Sequence, residues 1–276
     1  MAGAEPMEPP DDQSPDRPAP VRERPAGGRP APDRLAHLRA HLAPAEAVSG
    51  PVLPLGLAPL DGRLPGGGLA LGVPHEIAPE GDGDEAAALG FLVALLARRL
   101  ADGPGEALLV LAPGHPLPYG HGLLALGLDP GRLLFLEAAD DTEVFRALEA
   151  ALQAGALPAV AGLVAEGLPL VAGRRLQRAG AGTLLLILRP AGVERPNGAA
   201  TRWRIAAAPA SGDESTDARS DGTADGSARP RWRARLARCR NGRTGDWLME
   251  WDGAARRFDL PRGLAGHASA AGGAPG

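Results

Sequence analysis

The sequence predicts an α/β fold: a parallel sheet flanked by helices and finished by a C-terminal antiparallel extension. Three observations carry this. Between residues 74 and 189, strand-like apolar runs alternate with helical stretches, the rhythm of a parallel sheet. The strand segments are apolar throughout, as in Leu184-Leu185-Leu186-Ile187-Leu188, which suits strands covered by helices on both faces. After Ala200 the helical periodicity stops, and only strand-like segments follow.

Residues 1–32 are rich in Pro, Asp, Glu and Arg with almost no large apolar side chain, and a disordered tail is expected there. Asp33 is placed to cap a short helix over 34–43 with Leu35, Leu38 and Leu42 on one side, a candidate docking element. Residues 44–54 read as a linker and 55–262 as the main domain. In that domain a Gly-rich turn, Leu64-Pro65-Gly66-Gly67-Gly68-Leu69, leads to a strand at 74–78, and a loop precedes an apolar helix over 85–100. Strand 107–112, a helical stretch 119–127 and strand 132–137 follow. In the helix expected over 142–154, Val144, Ala147, Leu148, Ala151 and Leu152 form a stripe at helical spacing. Asp140 and Glu143 resemble a capping box, and Gly155 ends that helix. Strand 158–165, helix 172–179 and strand 183–189 complete the alternating part. The extension is expected as strands 201–208, 231–240, 246–251 and 255–260. A polar, acidic, Gly/Ser-rich insert at about 209–228 interrupts it, and 263–276 reads as a disordered tail.

Composition excludes several chemistries. Gly (39) and Pro (29) together make a quarter of the 276 residues, which fits a globular core carrying disordered extensions. Aromatics at 3% are few, so the core is expected to be Leu, Ala and Val. One cysteine, Cys239, excludes a disulfide framework and a Cys-rich zinc site. All 29 basic residues are arginine, so there is no Schiff-base lysine and no phosphate-binding lysine. The N-terminus lacks the apolar segment of a secretory signal, and the longest apolar run, 86–97, is too short to span a bilayer. A soluble, cytoplasmic protein is expected.

Most single residues have ordinary readings. His37 and His41 stand at i, i+4 spacing but lack a third ligand nearby. His75, His115 and His121 have no evident Ser or Cys nucleophile beside them. Cys239 reads as a plain strand residue, although neighbouring arginines would favour its thiolate. Asp140 and Asp141 read as helix-cap residues, and no metal site is expected. The arginine-rich strand is harder to dismiss. Between Arg229 and Arg243 there are seven arginines and no acid, and residues 229–262 carry a local +6 beside an insert, 210–228, of −4. Period-2 alternation puts Arg231, Arg233 and Arg235 on one face and Trp232, Ala234 and Leu236 on the other. Arg231, Arg233, Arg235, Arg238, Arg240 and Arg243 are therefore candidate contact residues. Three readings stand open: a solvated face, phosphate-backbone contact, or docking to an acidic protein surface.

The stretch 55–69 (LGLAPLDGRLPGGGL), followed by His75-Glu76-Ile77 and the loop Pro79-Glu80-Gly81-Asp82-Gly83-Asp84-Glu85, resembles the ATPase core of the RecA recombinase family. Tyr119, the run 126–130 (LGLDP), the segment 132–137 (RLLFLE) and the helix ending Ala154-Gly155-Ala156 fall in RecA-like order, and the likeness covers roughly 55–260. LDGRLPGGGL, HEI, Arg174-Arg175-Leu176-Gln177 and Thr201-Arg202-Trp203-Arg204 together more closely resemble the ImuA family of SOS-mutagenesis accessory proteins, degenerate RecA relatives.

The resemblance implies a RecA-like sheet and a role in damage-induced translesion synthesis. It implies contact with an ImuB-like protein and an error-prone DnaE-type polymerase, with RecA and DNA as further candidates. It also puts the ATPase chemistry to the test. A phosphate loop needs a lysine for the β- and γ-phosphates and a Ser/Thr hydroxyl for magnesium. Those positions hold Asp84 and Glu85, with Glu80 and Asp82 alongside. Each close contact between a carboxylate and a phosphate costs on the order of a few kcal/mol at a partly buried site. Gly162 or Leu163 stands near the expected magnesium-holding aspartate, and Pro113-Gly114-His115 replaces the catalytic glutamate. The expected protein is a non-enzyme without cofactor, its loop read as an acidic turn capping the next helix. The alternatives are a SulA-like cell-division inhibitor and an active RecA/KaiC-like ATPase. Deleting 210–228 is expected to leave the melting temperature within a few degrees, because the segment lacks apolar side chains and only closes a loop. A larger fall would show that the insert is structural.

Overall fold

The computed structural model describes residues 50–180, 182–193, 196–209 and 229–261. The expected helix over 34–43, both expected tails and nearly all of the acidic insert lie outside the described residues. The chain enters through a two-stranded antiparallel ribbon, β1 (Val52–Leu53) and β2 (Leu69–Ala70), with a short helix α1 (Ala58–Asp61) between them. Strand β3 (Pro74–Pro79) follows, then helix α2 (Glu85–Leu100), β4 (Ala107–Leu111), α3 (Gly120–Ala125) and β5 (Leu133–Glu137). Next come α4 (Asp141–Ala154), β6 (Ala159–Leu163), α5 (Leu170–Ala179) and β7 (Leu184–Leu188). The extension is β8 (Thr201–Ala207), β9 (Arg231–Cys239), β10 (Gly245–Asp252) and β11 (Arg257–Asp259).

Nine of these strands form one sheet in the order β11-β10-β9-β8-β3-β7-β6-β4-β5. Pairing is parallel from β5 through β8 and antiparallel from β8 through β11, as the sequence predicts. β3, β6 and β7 are buried along their whole length. α2, with Phe91, Leu92, Leu95 and Leu96 fully buried, covers one face of the sheet; α4 and α5 cover the other. No helix among the described residues is long and apolar enough to cross a membrane.

Local signals explain most boundaries. Asp140 accepts from the Glu143 amide at 2.8 Å, the Glu143 carboxylate accepts from the Ala139 amide, and Gly155 closes α4 at φ +65°. At the end of the stretch 44–54, read as a linker, the described residues 50–54 are already part of the fold. Val52 and Leu53 pair with β2, and Leu53 and Leu55 are fully buried, in a strand too short and too closely framed by Pro51 and Pro54 to show a period. The core reading is also incomplete. The parallel half is aliphatic, but the scarce aromatics gather where the extension packs on α2. Phe91 lies 5.9 Å from Trp203, 5.8 Å from Trp232 and 5.7 Å from Phe258, and Trp251 lies tilted against Phe258 at 4.6 Å. Four strands bent onto one helix need bulky side chains to fill the space between them.

Candidate functional site

The two features singled out by the sequence meet at the C-terminal end of β3. Glu80 continues the strand pairing through its amide, which donates to the Ile205 carbonyl, and its carboxylate forms an ion pair with Arg235 of β9. The loop then folds on itself. Asp84 accepts from the Gly81 amide at 3.3 Å and from the Ala207 amide at 2.8 Å, and Glu85 accepts from the Gly83 amide at 2.9 Å. Asp84 stands at the N-cap of α2 but its side chain does not cap that helix. The expected helix-capping turn is thus a clamp that ties the loop to β8. Loop amides that would face a phosphate are spent on the chain's own carboxylates. Asp82 is exposed and without a partner among the described residues.

The other two positions lie on β6 and just past β4. At Gly162 an added Cβ would stand 2.8 Å from Leu148 and 2.9 Å from Val144, so a side chain there would have to push those two aside, and Leu163 is buried. Pro113-Gly114-His115 forms a turn off the end of β4, with Gly114 at φ +89°, and presents no carboxylate. Among the described residues no group of three or more His, Cys, Asp or Glu side chains is placed to hold a metal ion. His121 stacks on Tyr119 at 4.9 Å. Burial pushes the Cys239 thiol up, away from the thiolate its arginine neighbours would favour.

Beneath the loop, in the middle of β3, lies a buried polar network. Glu76 is 1% exposed; it pairs with Arg189 at 2.7 Å and Arg202 at 3.3 Å and accepts from the Asn197 side-chain amide. Arg189 also donates to the Pro190 carbonyl, and Asn197 accepts from the Ala199 amide. A carboxylate this deep stays in place only with its charge matched and its lone pairs filled. His75, one residue earlier, points to the other face. Its Nε2 donates to the Ala70 carbonyl at 2.8 Å, its Nδ1 accepts from the Thr201 hydroxyl at 2.8 Å, and that oxygen accepts from Trp203 Nε1 at 2.9 Å. This chain of donors runs one way only with a neutral ring, and burial lowers the His75 pKa to about 4.

The arginine strand has the faces that alternation predicts: Trp232, Ala234 and Leu236 are buried, whereas Arg233 and Arg235 are exposed. Its charge is not free, however. Acids absent from the segment arrive from β3 and β10. Arg231 pairs with Glu250, directly opposite in register, and Arg235 with Glu80. Arg238 donates to the Asn197 carbonyl and Arg240 to the Gly198 carbonyl, holding the loop before β8. Arg233 and Arg243 alone of the six candidates have side chains with no hydrogen bond or ion pair among the described residues.

No family profile matches the chain. It is 40% identical over 238 residues to Protein ImuA of Caulobacter vibrioides, from strain NA1000 / CB15N and equally from strain ATCC 19089 / CIP 103742 / CB 15, covering 80% of this chain and 93% of each relative. The chain belongs to the ImuA family. Membership gives it a place in the SOS-mutagenesis accessory system. The crystal structure of SulA from Pseudomonas aeruginosa matches 42% of this chain and 97% of its own at 25% identity, with a TM-score of 0.34, too loose a likeness to add to the assignment.

The motifs that carry the ImuA resemblance prove to be fasteners. In LDGRLPGGGL, Asp61 accepts from the amides of Leu55, Gly56 and Leu57, and Arg63 donates to the Thr244 carbonyl at 2.7 Å. HEI and TRWR interlock across adjacent parallel strands through the His75–Thr201 and Glu76–Arg202 contacts. Arg175 pairs with Glu149 between α5 and α4. The Asp61 bonds are local, but the others join residues 26 to 181 apart, beyond the reach of local sequence patterns.

The His75 network sets a pH dependence. The folded chain keeps the ring neutral down to about pH 4, whereas the unfolded chain protonates it near 6.5. Between those values the unfolded chain binds more protons, so the contribution is complete above 6.5 and lost as pH falls toward 4. Urea unfolding at pH 7.5 and pH 4.5 is expected to show about 2–3 kcal/mol more loss in the wild type than in His75→Gln. Equal losses in the two proteins would contradict the assignment.

Proposed function

We propose that this ImuA-family chain is a non-catalytic accessory subunit of damage-induced translesion synthesis. It acts by contact with an ImuB-like protein and an error-prone DnaE-type polymerase, and RecA is a further candidate partner. The observation that carries the non-catalytic reading is the self-filled loop. Asp84 and Glu85 take the Gly81, Gly83 and Ala207 amides, and Glu80 takes Arg235, so a nucleotide would have to displace the chain's own anions from their donors. Lys-free chemistry supports the same reading, as does the close packing of Leu148 and Val144 around Gly162.

The arginine face is the proposed contact surface, with Arg233 and Arg243 as its available members; the other four candidates already have internal partners. Magnesium-dependent ATP binding is expected to be undetectable at concentrations up to about 1 mM in a fluorescent-nucleotide titration. Saturable binding at micromolar concentration would overturn the non-catalytic reading. Separately, Arg233→Glu/Arg243→Glu is expected to melt like the wild type and to lower damage-induced mutation about tenfold, with weaker capture of the ImuB-like protein or the polymerase. If DNA is the ligand, the double variant instead reduces the slope of log affinity on log salt by roughly 0.7–0.9 per lost phosphate contact. A folded variant that remains fully mutagenic would show the face to be solvated surface only.

A further inference from the structure

The two edges of the nine-stranded sheet are built differently. At one, β11 is only three residues long, carries Arg257 and Asp259 joined in an ion pair, and is followed by Pro261. A short, charged strand stopped by proline is how natural sheets keep an edge from pairing. At the other edge, β5 reads Leu133-Leu134-Phe135-Leu136-Glu137, without proline and with one charge, at its end. Its apolar side chains stand in water on both faces: Leu134 is 44%, Phe135 39% and Leu136 42% exposed. Leu134 and Leu136 lie level with Leu108 and Val110 on the α4 side, and Phe135 lies level with Leu109 on the α2 side.

The backbone along β5 selects what fits there. The Ala138 amide donates to the Leu111 carbonyl of β4, so by alternation the main-chain groups of Leu136 and Leu134 also face β4. Those of Phe135 and Glu137 face outward, as does the Leu133 carbonyl, whereas the Leu133 amide already donates to Pro130. Outward N–H and C=O groups at alternate residues match a further extended strand.

The strand is also its own complement. Antiparallel pairing centred on Phe135 lets the Phe135 residues of two copies exchange both backbone hydrogen bonds, and sets the Glu137 amide against the Leu133 carbonyl of the second copy. Leu134 then meets Leu136 of the second copy on one face, and Phe135 meets Phe135 on the other. Glu137 lies opposite Leu133 of the second copy, so no like charges are opposed. The run Leu134-Phe135-Leu136 reads the same in both directions, which suits an isologous two-fold contact. Because β11 is protected, a sheet extended in this way stops at two copies.

We infer that β5 pairs antiparallel with β5 of a second copy about a two-fold axis through Phe135, joining two sheets into one. The pairing is independent of the function proposed above. A five-residue strand buries less than a standard interface, so the dimer is expected in the micromolar range. Sedimentation of the full chain from about 1 to about 100 μM is expected to show a monomer passing into a dimer. Phe135 faces itself across the axis. Phe135→Lys and Phe135→Glu, each alone, therefore set like charges opposite; both are expected to keep the wild-type circular dichroism spectrum and to weaken dimerisation at least about tenfold. An equimolar mixture of the two is expected to restore the dimer. Phe135→Cys combined with Cys239→Ala is expected to form an intermolecular disulfide on mild oxidation, since the opposed Cα atoms stand about 5.5 Å apart. A chain that stays monomeric, whatever else binds the edge, or one that assembles beyond two copies, would overturn the inference. So would single charge variants that still dimerise, a mixture that remains monomeric, or a cysteine variant that does not cross-link.

Discussion

Glu76, a carboxylate with almost no access to water, sits on β3 beside β8, the strand at which parallel pairing gives way to antiparallel, and the architecture around it is arranged to keep it partnered. β3 has β7 on one side and β8 on the other. The residue after β7 supplies Arg189, the start of β8 supplies Arg202, and the loop between them supplies Asn197. A register slip of one residue in β8 would turn Arg202 into the aromatic core and put Trp203 against the carboxylate. Removing one member of such a buried set leaves a charge unmatched, typically at a cost of about 3–5 kcal/mol. The network therefore acts less as a source of stability than as a check that β7, β8 and the loop joining them have assembled correctly.

β3 is held from several sides: by apolar neighbours on β7 and the helix α2 packed on it, by the ion pairs of Glu76, and by the one-way hydrogen-bond chain that runs from Trp203 through Thr201 and His75 to Ala70 of the entry ribbon. The loop that follows is stabilised by its own carboxylates and by Ala207 and Arg235. Glu80 and Asp84 thus fix the loop to the extension.

The parallel half was legible because its signals are local. Apolar runs mark β6 and β7, the Asp140–Glu143 box marks the start of α4, and Gly155 marks its end, each within a few residues. The arginine strand's two faces were legible for the same reason, from a period of two. What sequence could not show were the partners. Glu80 and Arg235 are 155 residues apart, and Glu76 and Arg189 are 113 apart. Counting charges along 229–262 gave a basic strip but not which acid faces which arginine, nor that Glu80 reaches Arg235 from outside that range. β1 escaped notice because two residues between prolines have no period, and the aromatic cluster because its members come from five separate elements.

Arginine's role on the extension follows from its shape rather than its charge. A planar fork holds a carboxylate in a fixed geometry, where an ammonium would act as a point charge. The β8–β10 face therefore behaves as a set of short-range fittings: Arg231 on Glu250, Arg229 on Asp252, Arg235 on Glu80. Each pairing also fixes the geometry between segments far apart in sequence, 155 residues in the case of Arg235 and Glu80, so on this face arginine serves first as a fastener of the sheet.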